Sequence, residues 1–390
     1  MSEPKGRGAA WTEERGTRDE GRQRLKSAPE ASGRHGVPIY KRRRRRIYAG
    51  IGAAAAVVIA LAAWAVSTSG GGSGAPLPSF TIAYGQGTVA NSDSIIDSDP
   101  ALARTIPAQL HFVPFDAGVT AIAEMRSGSL QAISGVGNPP VVGAIGANTA
   151  IDVVIAQSFD ADALIVPKSI TSPGQLGGKS VGVLVGSSED YELRGWLGLQ
   201  HLTGSVKVVG FASEQAAAAA YLGGSVAAAY VQAGPEAQLI AKGGHPLTDA
   251  EQIAKLGIPG LNVVAVSQNT IRNDPALVQK YVCAEVQATR LFTGPQAARY
   301  LTQSAKVQGV PGSLIVSATR SFPFIPLSQQ LYWLGSTPDD ASSPIVKAYE
   351  LTGRFLAGQG RLTSVPSAAV LATHVDSAFV KKALAGGCSS

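Results

Sequence analysis

The stretch SVGVLVGSSEDYELRGWLGLQHL, Ser180–Leu202, holds a strand, a turn and a helix in sequence. Ser180–Val185 is a short apolar run of strand length, Gly186-Ser187-Ser188 is a small hydroxyl-rich turn, and helical spacing follows from Tyr191 to Leu202. The same alternation extends both ways. Strand-like runs stand at Phe80–Tyr84, Leu110–Val113, Val153–Ala156, Leu164–Val166, Val206–Val209, Val226–Val231 and Leu261–Val266, with helical stretches such as Val119–Arg126 and Glu214–Leu222 between them. Such an alternation specifies an α/β fold built from crossover units. After Asp274-Pro275, with Asp274 as N-cap and Pro275 at the first helical position, the chain reads as helical to its end.

The Gly186-Ser187-Ser188 turn can act in two ways. Its N–H groups and hydroxyls, with the partial positive charge of the following helix, suit an anion. Equally, Ser187 can simply cap the helix. Catalytic motifs are missing: His35, His111, His201, His245 and His374 are scattered, and there is no GxSxG elbow, Walker loop, HExxH or GxGxxG opening a helix. No cofactor is expected. Cys283 and Cys388 are too few for a metal site without clustered histidines; outside the cytoplasm they can pair and fasten the C-terminus to a helix, the alternative being two separate thiols.

Ahead of the α/β body the composition changes sharply. Residues 1–46 carry 14 Lys and Arg against 6 Asp and Glu, a net of +8 in a chain whose total is +6, so the remainder is close to −2. That tail is poor in aliphatic clusters and is expected to be disordered and cytoplasmic. Lys41 and Arg42–Arg46 abut Ile47–Val66, 20 residues without a charge, long enough at about 1.5 Å per residue to cross the hydrocarbon of a bilayer. Basic residues stay inside, so a single-pass anchor places everything after residue 67 outside. Nine alanines make the segment only modestly apolar, and a cleaved signal peptide ending near Ala60-Leu61-Ala62 or Ala65-Val66-Ser67 is the competing reading. A lipoprotein anchor is excluded by the lack of a nearby cysteine. The arginine run beside an apolar segment reads as a topology signal and a contact for anionic headgroups rather than a nucleic-acid site. Ser67–Ser79, STSGGGSGAPLPS, is a flexible spacer, and the body from Phe80 onward has the length of two lobes.

Several stretches of that body carry a resemblance. They are TIAY at Thr81–Tyr84, VPFDAG at Val113–Gly118, MRSGSLQAI from Met125, VGNPPV at Val136–Val141 and ADALIVPKS at Ala161–Ser169. PGQLGGKSVGV from Pro173, GSSEDY at Gly186–Tyr191, GGSVAAAYV from Gly223, TDAEQIAKLGIPGLNVVAV from Thr248, NDPALVQKYV from Asn273 and PLSQQ from Pro326 follow. In this order the chain resembles the solute-binding proteins of ABC importers, in the branch that serves taurine, other sulfonates and nitrate, with the taurine-binding members nearest. The resemblance implies a two-lobed periplasmic-binding-protein-like α/β fold with a ligand cleft: lobe I from 80–166 plus 261–390, lobe II from 167–260, with crossings near Ala163–Lys168 and Leu261–Val266. It implies a monomer, partnered by a permease and its ATPase. It also maps pocket segments onto Phe115, Asp116, Ala117 and Gly118; Gly137, Asn138 and Pro139; Ser187, Ser188, Glu189, Asp190 and Tyr191; Tyr230 and Gln232; and Asn262.

At several of these positions the chain departs from the family pattern. The Asp-Ser-Gly loop reads Asp116-Ala117-Gly118 and the Gly-Ser-Ser-Pro loop reads Gly137-Asn138-Pro139-Pro140, so hydroxyl donors for an anion are lost. Gln232 stands where an aromatic is common, Asn262 where an aspartate would pair an ammonium, and Glu189-Asp190 where the family has Thr-His. The implied pocket suits a small polar solute, with an amine facing Glu189 or Asp190; the alternative for both is a pair of first-turn helix acids turned to water. An importer receptor is the leading reading. A membrane-anchored sensor and an enzyme on the same fold are the alternatives.

Overall fold

A computed structural model of the chain describes residues 76–85, 91–320 and 322–388. The basic tail, the expected anchor Ile47–Val66 and most of the spacer lie outside these residues. Among the described helices none is long and apolar enough to cross a membrane.

The ten described strands divide into two five-stranded sheets, in order β2-β1-β3-β10-β4 and β7-β6-β8-β5-β9. The first contains β1 (Ser79–Gly85), β2 (Gln109–Phe115), β3 (Ala132–Gly137), β4 (Ile151–Phe159) and β10 (Leu261–Ser267). The second contains β5 (Ala163–Pro167), β6 (Ser180–Leu184), β7 (Lys207–Phe211), β8 (Ala228–Val231) and β9 (Gly244–Asp249). In the first sheet β1 is parallel to β2 and β3, while β10 runs antiparallel to β3 and β4. The second repeats the scheme: β6 is parallel to β7 and β8, and β5 runs antiparallel to β8 and β9. In each sheet the one strand of opposite direction is the strand that has just arrived from the other sheet. It enters at the cleft and runs away from it, so the other strands end at the cleft, where ligands bind in open α/β sheets.

Apolar side chains cover both faces of each sheet, as parallel strands demand. On the first, Ile133, Val153, Val263 and Tyr349 pack on one face and Phe80, Ile82, Val264 and Tyr281 on the other. Leu164, Val183, Trp196 and Tyr230 form the main core of the second. All of these are at most 3% exposed, and each such burial is worth about 2 kcal/mol in transfer free energy. After β10 the described chain is mostly helical, beginning with Gln268–Asn273 and then Pro275–Thr293, whose N-cap Asp274 accepts from the Leu277 N–H at 2.9 Å. Cys283 of that helix and Cys388 are joined as a disulfide.

The lobe boundary lies elsewhere than the sequence suggested. β5 pairs wholly within the second sheet and β10 wholly within the first, so the chain crosses at residues 160–162 and returns at 256–260, and the boundary at 166 is too late. An apolar strand looks the same whichever sheet receives it, and only its partners settle the matter. Two strands also escape the apolar-run reading. β3, AISGVG, is interrupted by serine and glycine, and β9, GHPLTD, carries Pro246 and sits at a sheet edge, where a missing donor is tolerated.

Candidate functional site

The two crossings lie side by side, tied by the Asp160 N–H donating to the Gly260 carbonyl at 3.1 Å. Asn138, fully buried, braces the same place: its amide donates to the Pro259 carbonyl at 3.0 Å and accepts from the Leu261 N–H at 2.8 Å. Above the crossings opens a cavity of about 320 Å³. From the first lobe it is lined by Phe115, Asp116, Gly118 and Gly137, and from the second by Ser187, Ser188, Glu189 and Gln232, with Asp160, Asp162 and Asn262 at the crossings.

Nine of the sequence-derived candidates thus meet at one cavity: Phe115, Asp116, Gly118, Gly137, Ser187, Ser188, Glu189, Gln232 and Asn262. Six do not line it, among them Ala117 and Pro139, each next to a residue that does. Asn138 is spent on the hinge. Asp190, 0% exposed, accepts from the Gly186 N–H at 3.0 Å and pairs with Arg194 at 2.6 Å and Arg361 at 3.2 Å. Tyr191 packs edge-on against Phe355 across the lobes, ring centroids 5.3 Å apart. Tyr230 donates to Glu192 at 2.7 Å beneath the cavity floor. Glu189 and Asp190, moreover, are buried rather than turned to water. At the turn, Gly186 adopts φ 79°, a conformation open to glycine, and Ser187 caps the helix Ser188–Leu199 by accepting from the Asp190 N–H at 3.3 Å.

Carboxylates dominate the floor, and most of them gave no sequence signal. Asp160, Asp162, Glu189, Glu192 and Glu214 are all at most 7% exposed. Asn262 donates to Asp160 Oδ1 at 2.6 Å, and the Gln232 amide donates to Glu189 at 3.3 Å and to Glu214. With Tyr230 on Glu192 and Ser188 on Asp160, those amides supply side-chain donors to this group. Asp160 Oδ2 and Glu192 Oε1 are buried without a hydrogen-bond partner among the described residues. Both lie against Gly260: a Cβ there would stand 2.0 Å from the first and 2.2 Å from the second, so this position has room only for glycine. One oxygen each of Asp160, Asp162 and Glu192 lie within 4.8 Å of one another, a separation at which a cation of any kind can be shared.

Burial, then the charge of Glu189, lifts the Asp160 carboxyl to about 7, with Ser188 and Asn262 holding it back. Burial followed by the neighbouring carboxylates Glu189, Asp160, Glu192 and Glu214 raises Asp162 well above its ordinary range. Glu192 and Glu214 are raised for the same first reason. Ionised carboxylates at these positions lack the countercharge that would offset their desolvation.

The opposite wall adds groups that pattern reading had no means to find. Gln157 joins it to the sheet, donating to Ser134 at 2.8 Å and accepting from the Gly135 N–H at 2.7 Å. Glu285 lines the cavity beside the exposed Arg290, and Phe322 and Phe324 stack near its mouth, centroids 5.0 Å apart. Glu285, Arg290, Phe322 and Phe324 come from the helical half, about a hundred residues or more from the Ser187 turn, so only packing assembles them.

No family model matches the chain. Among curated proteins it is 27% identical over 311 residues to a taurine-binding periplasmic protein of Escherichia coli, covering 77% of this chain and 92% of that one. Among solved structures it resembles the periplasmic aliphatic sulphonate binding protein SsuA of Escherichia coli, with TM-score 0.63, 19% identity and coverage of 78% and 99%. The alkanesulfonate-binding SsuA of Xanthomonas axonopodis pv. citri, bound to MOPS, gives TM-score 0.60 at 19% identity, with coverage of 78% and 99%. The curated relative is matched along nearly its whole length, and the solved structures show that the chain shares their fold.

Proposed function

We propose that the chain is the extracytoplasmic solute-binding component of an ABC importer, capturing a small polar solute between its lobes and delivering it to a permease served by an ATPase. One observation carries the reading: a single cavity walled by strand ends and helix starts of both lobes, over two adjacent crossings, so that a ligand contacts both walls fully only when they close. The taurine-binding relative supports the same role.

Ile47–Val66 serves in this reading as a membrane anchor, with the basic tail inside and Ser67–Ser79 as tether. A spacer of that length holds a monomeric receptor near its permease at an effective concentration on the order of millimolar. The Cys283–Cys388 bond fits an oxidising compartment.

The test is uptake. Deleting the chain's gene in its own host is expected to abolish import of one small solute, and the full-length protein should restore it. The same protein without residues 1–66 should bind that solute but restore uptake less well. Unchanged uptake of every solute that binds the purified protein would rule the importer role out in favour of a sensor.

A further inference from the structure

Resting on that solute-binding reading, we infer that the solute is an organic cation, an ammonium or amidinium on an apolar body, whose charged head enters between Asp160, Asp162 and Glu189. Three observations converge. First, Asp162 lines the cavity, is 5% exposed, and has no side-chain hydrogen bond among the described residues. Second, Asp160 Oδ2 in the same floor and Glu192 Oε1 directly behind it are buried without partners. A buried oxygen without a donor is costly, and several converging on one opening are most simply satisfied by what enters through it. Third, the charged residues lining the cavity are Asp116, Asp160, Asp162, Glu189 and Glu285 against the single Arg290, which is exposed.

The geometry also states what the head must look like. Asp160, Asp162 and, behind them, Glu192 each have one oxygen within 4.8 Å of the others, a cluster that suits a group with several N–H donors radiating from one charge, as in a primary ammonium or an amidinium. Phe115 and Phe324 supply a wall for the apolar body, and an aromatic face favours a nearby cation further. A sulfonate head placed on this floor would face the carboxyl oxygens of Asp160, Asp162 and Glu189, and such an unfavourable juxtaposition is what selective sites use to reject a ligand. A bare divalent ion satisfies the three carboxylates but leaves the aromatic wall and most of the 320 Å³ unused.

The test is calorimetric titration of the full-length protein in detergent with propylamine, 1,4-diaminobutane, benzylamine and benzamidine, with propanesulfonate, taurine and nitrate, and with Mn²⁺, Zn²⁺ and Ca²⁺. Amines or amidines are expected to bind at least tenfold more tightly than propanesulfonate. Asp162→Asn should lower that affinity at least thirtyfold while the unliganded protein melts at the same temperature or higher, because a repulsive charge has gone. Glu189→Gln is expected to weaken cation binding too, and decides the matter if the first variant does not fold. Propanesulfonate or nitrate binding with amines silent would overturn the cation and leave the solute-binding reading intact, as would taurine binding where propylamine does not. Chelator-sensitive binding of a divalent ion alone would overturn the organic cation. Silence from every probe would overturn the cation and count against the solute-binding reading, which the uptake experiment then judges separately.

Discussion

Asp190 and Asp162 are two acids buried to nearly the same depth, 0% and 5% exposed, and only Asp162 lines the cavity. Asp190 has Arg194, Arg361 and the Gly186 N–H around it. Asp162 has four carboxylates and no side-chain donor among the described residues. Depth alone therefore says nothing about ligand binding. The first acid is complete within the protein and joins the lobes behind the cleft, whereas the second lacks a partner that only something entering the cleft can supply.

The sharpest way to break the comparison is at Gly260. Gly260→Ala would force a methyl between Asp160 and Glu192 and is expected to cost about 3 kcal/mol and to abolish binding, seen as a lower denaturant midpoint; an unchanged midpoint would mean the two carboxylates are not held against the hinge as described. Asp190→Ala attacks the compensated side. It should destabilise by about 2 kcal/mol, less than for a fully buried pair, since the Arg194 and Arg361 side chains keep 29% and 34% of their exposure.

Acidity distinguishes the two sides next. Asp160 sits at about 7 and Asp93, paired with Glu285 under the opposite wall, at about 6, against an ordinary 3.8. The folded chain then holds more protons than the unfolded one between these limits. The stabilisation is complete below the ordinary carboxylate range and is lost as pH rises through about 6 to 7. Thermal melts of the unliganded protein should show a decline on the order of 1 kcal/mol from pH 5 to pH 8. A rise over that interval would contradict an uncompensated floor. Asp162→Asn gives the smallest effect, a gain of about 0.5 kcal/mol at pH 8 from relieved repulsion, and should flatten the pH slope; a loss would mean that Asp162 already has a partner.

Much of this was legible in the residues. Hydrophobic periodicity placed eight strands and the change to helix after Asp274, because strands buried on both faces must be apolar and a proline behind a capping acid starts a helix. Ordered short motifs placed nine residues of the cavity. Asp190, Tyr191, Tyr230 and Asn138 lie off the cavity because neighbours in sequence on a helix or strand face different ways: Glu189 meets the cavity, while Asp190 turns toward Arg361, which lies far along the chain.

The sequence by itself determined the α/β class, the order of its elements and the family they resemble, all of which follow from local periodicity and local turns. Only the tertiary structure decided where the chain crosses between lobes and which acids are left without countercharge. Those depend on strand partners and on side chains from distant segments, Asp160, Glu192 and Glu214 among them, that are buried together in one low-dielectric region at and beneath the cavity floor. A carboxylate's need for a partner is a property of its surroundings, and no window of sequence contains them.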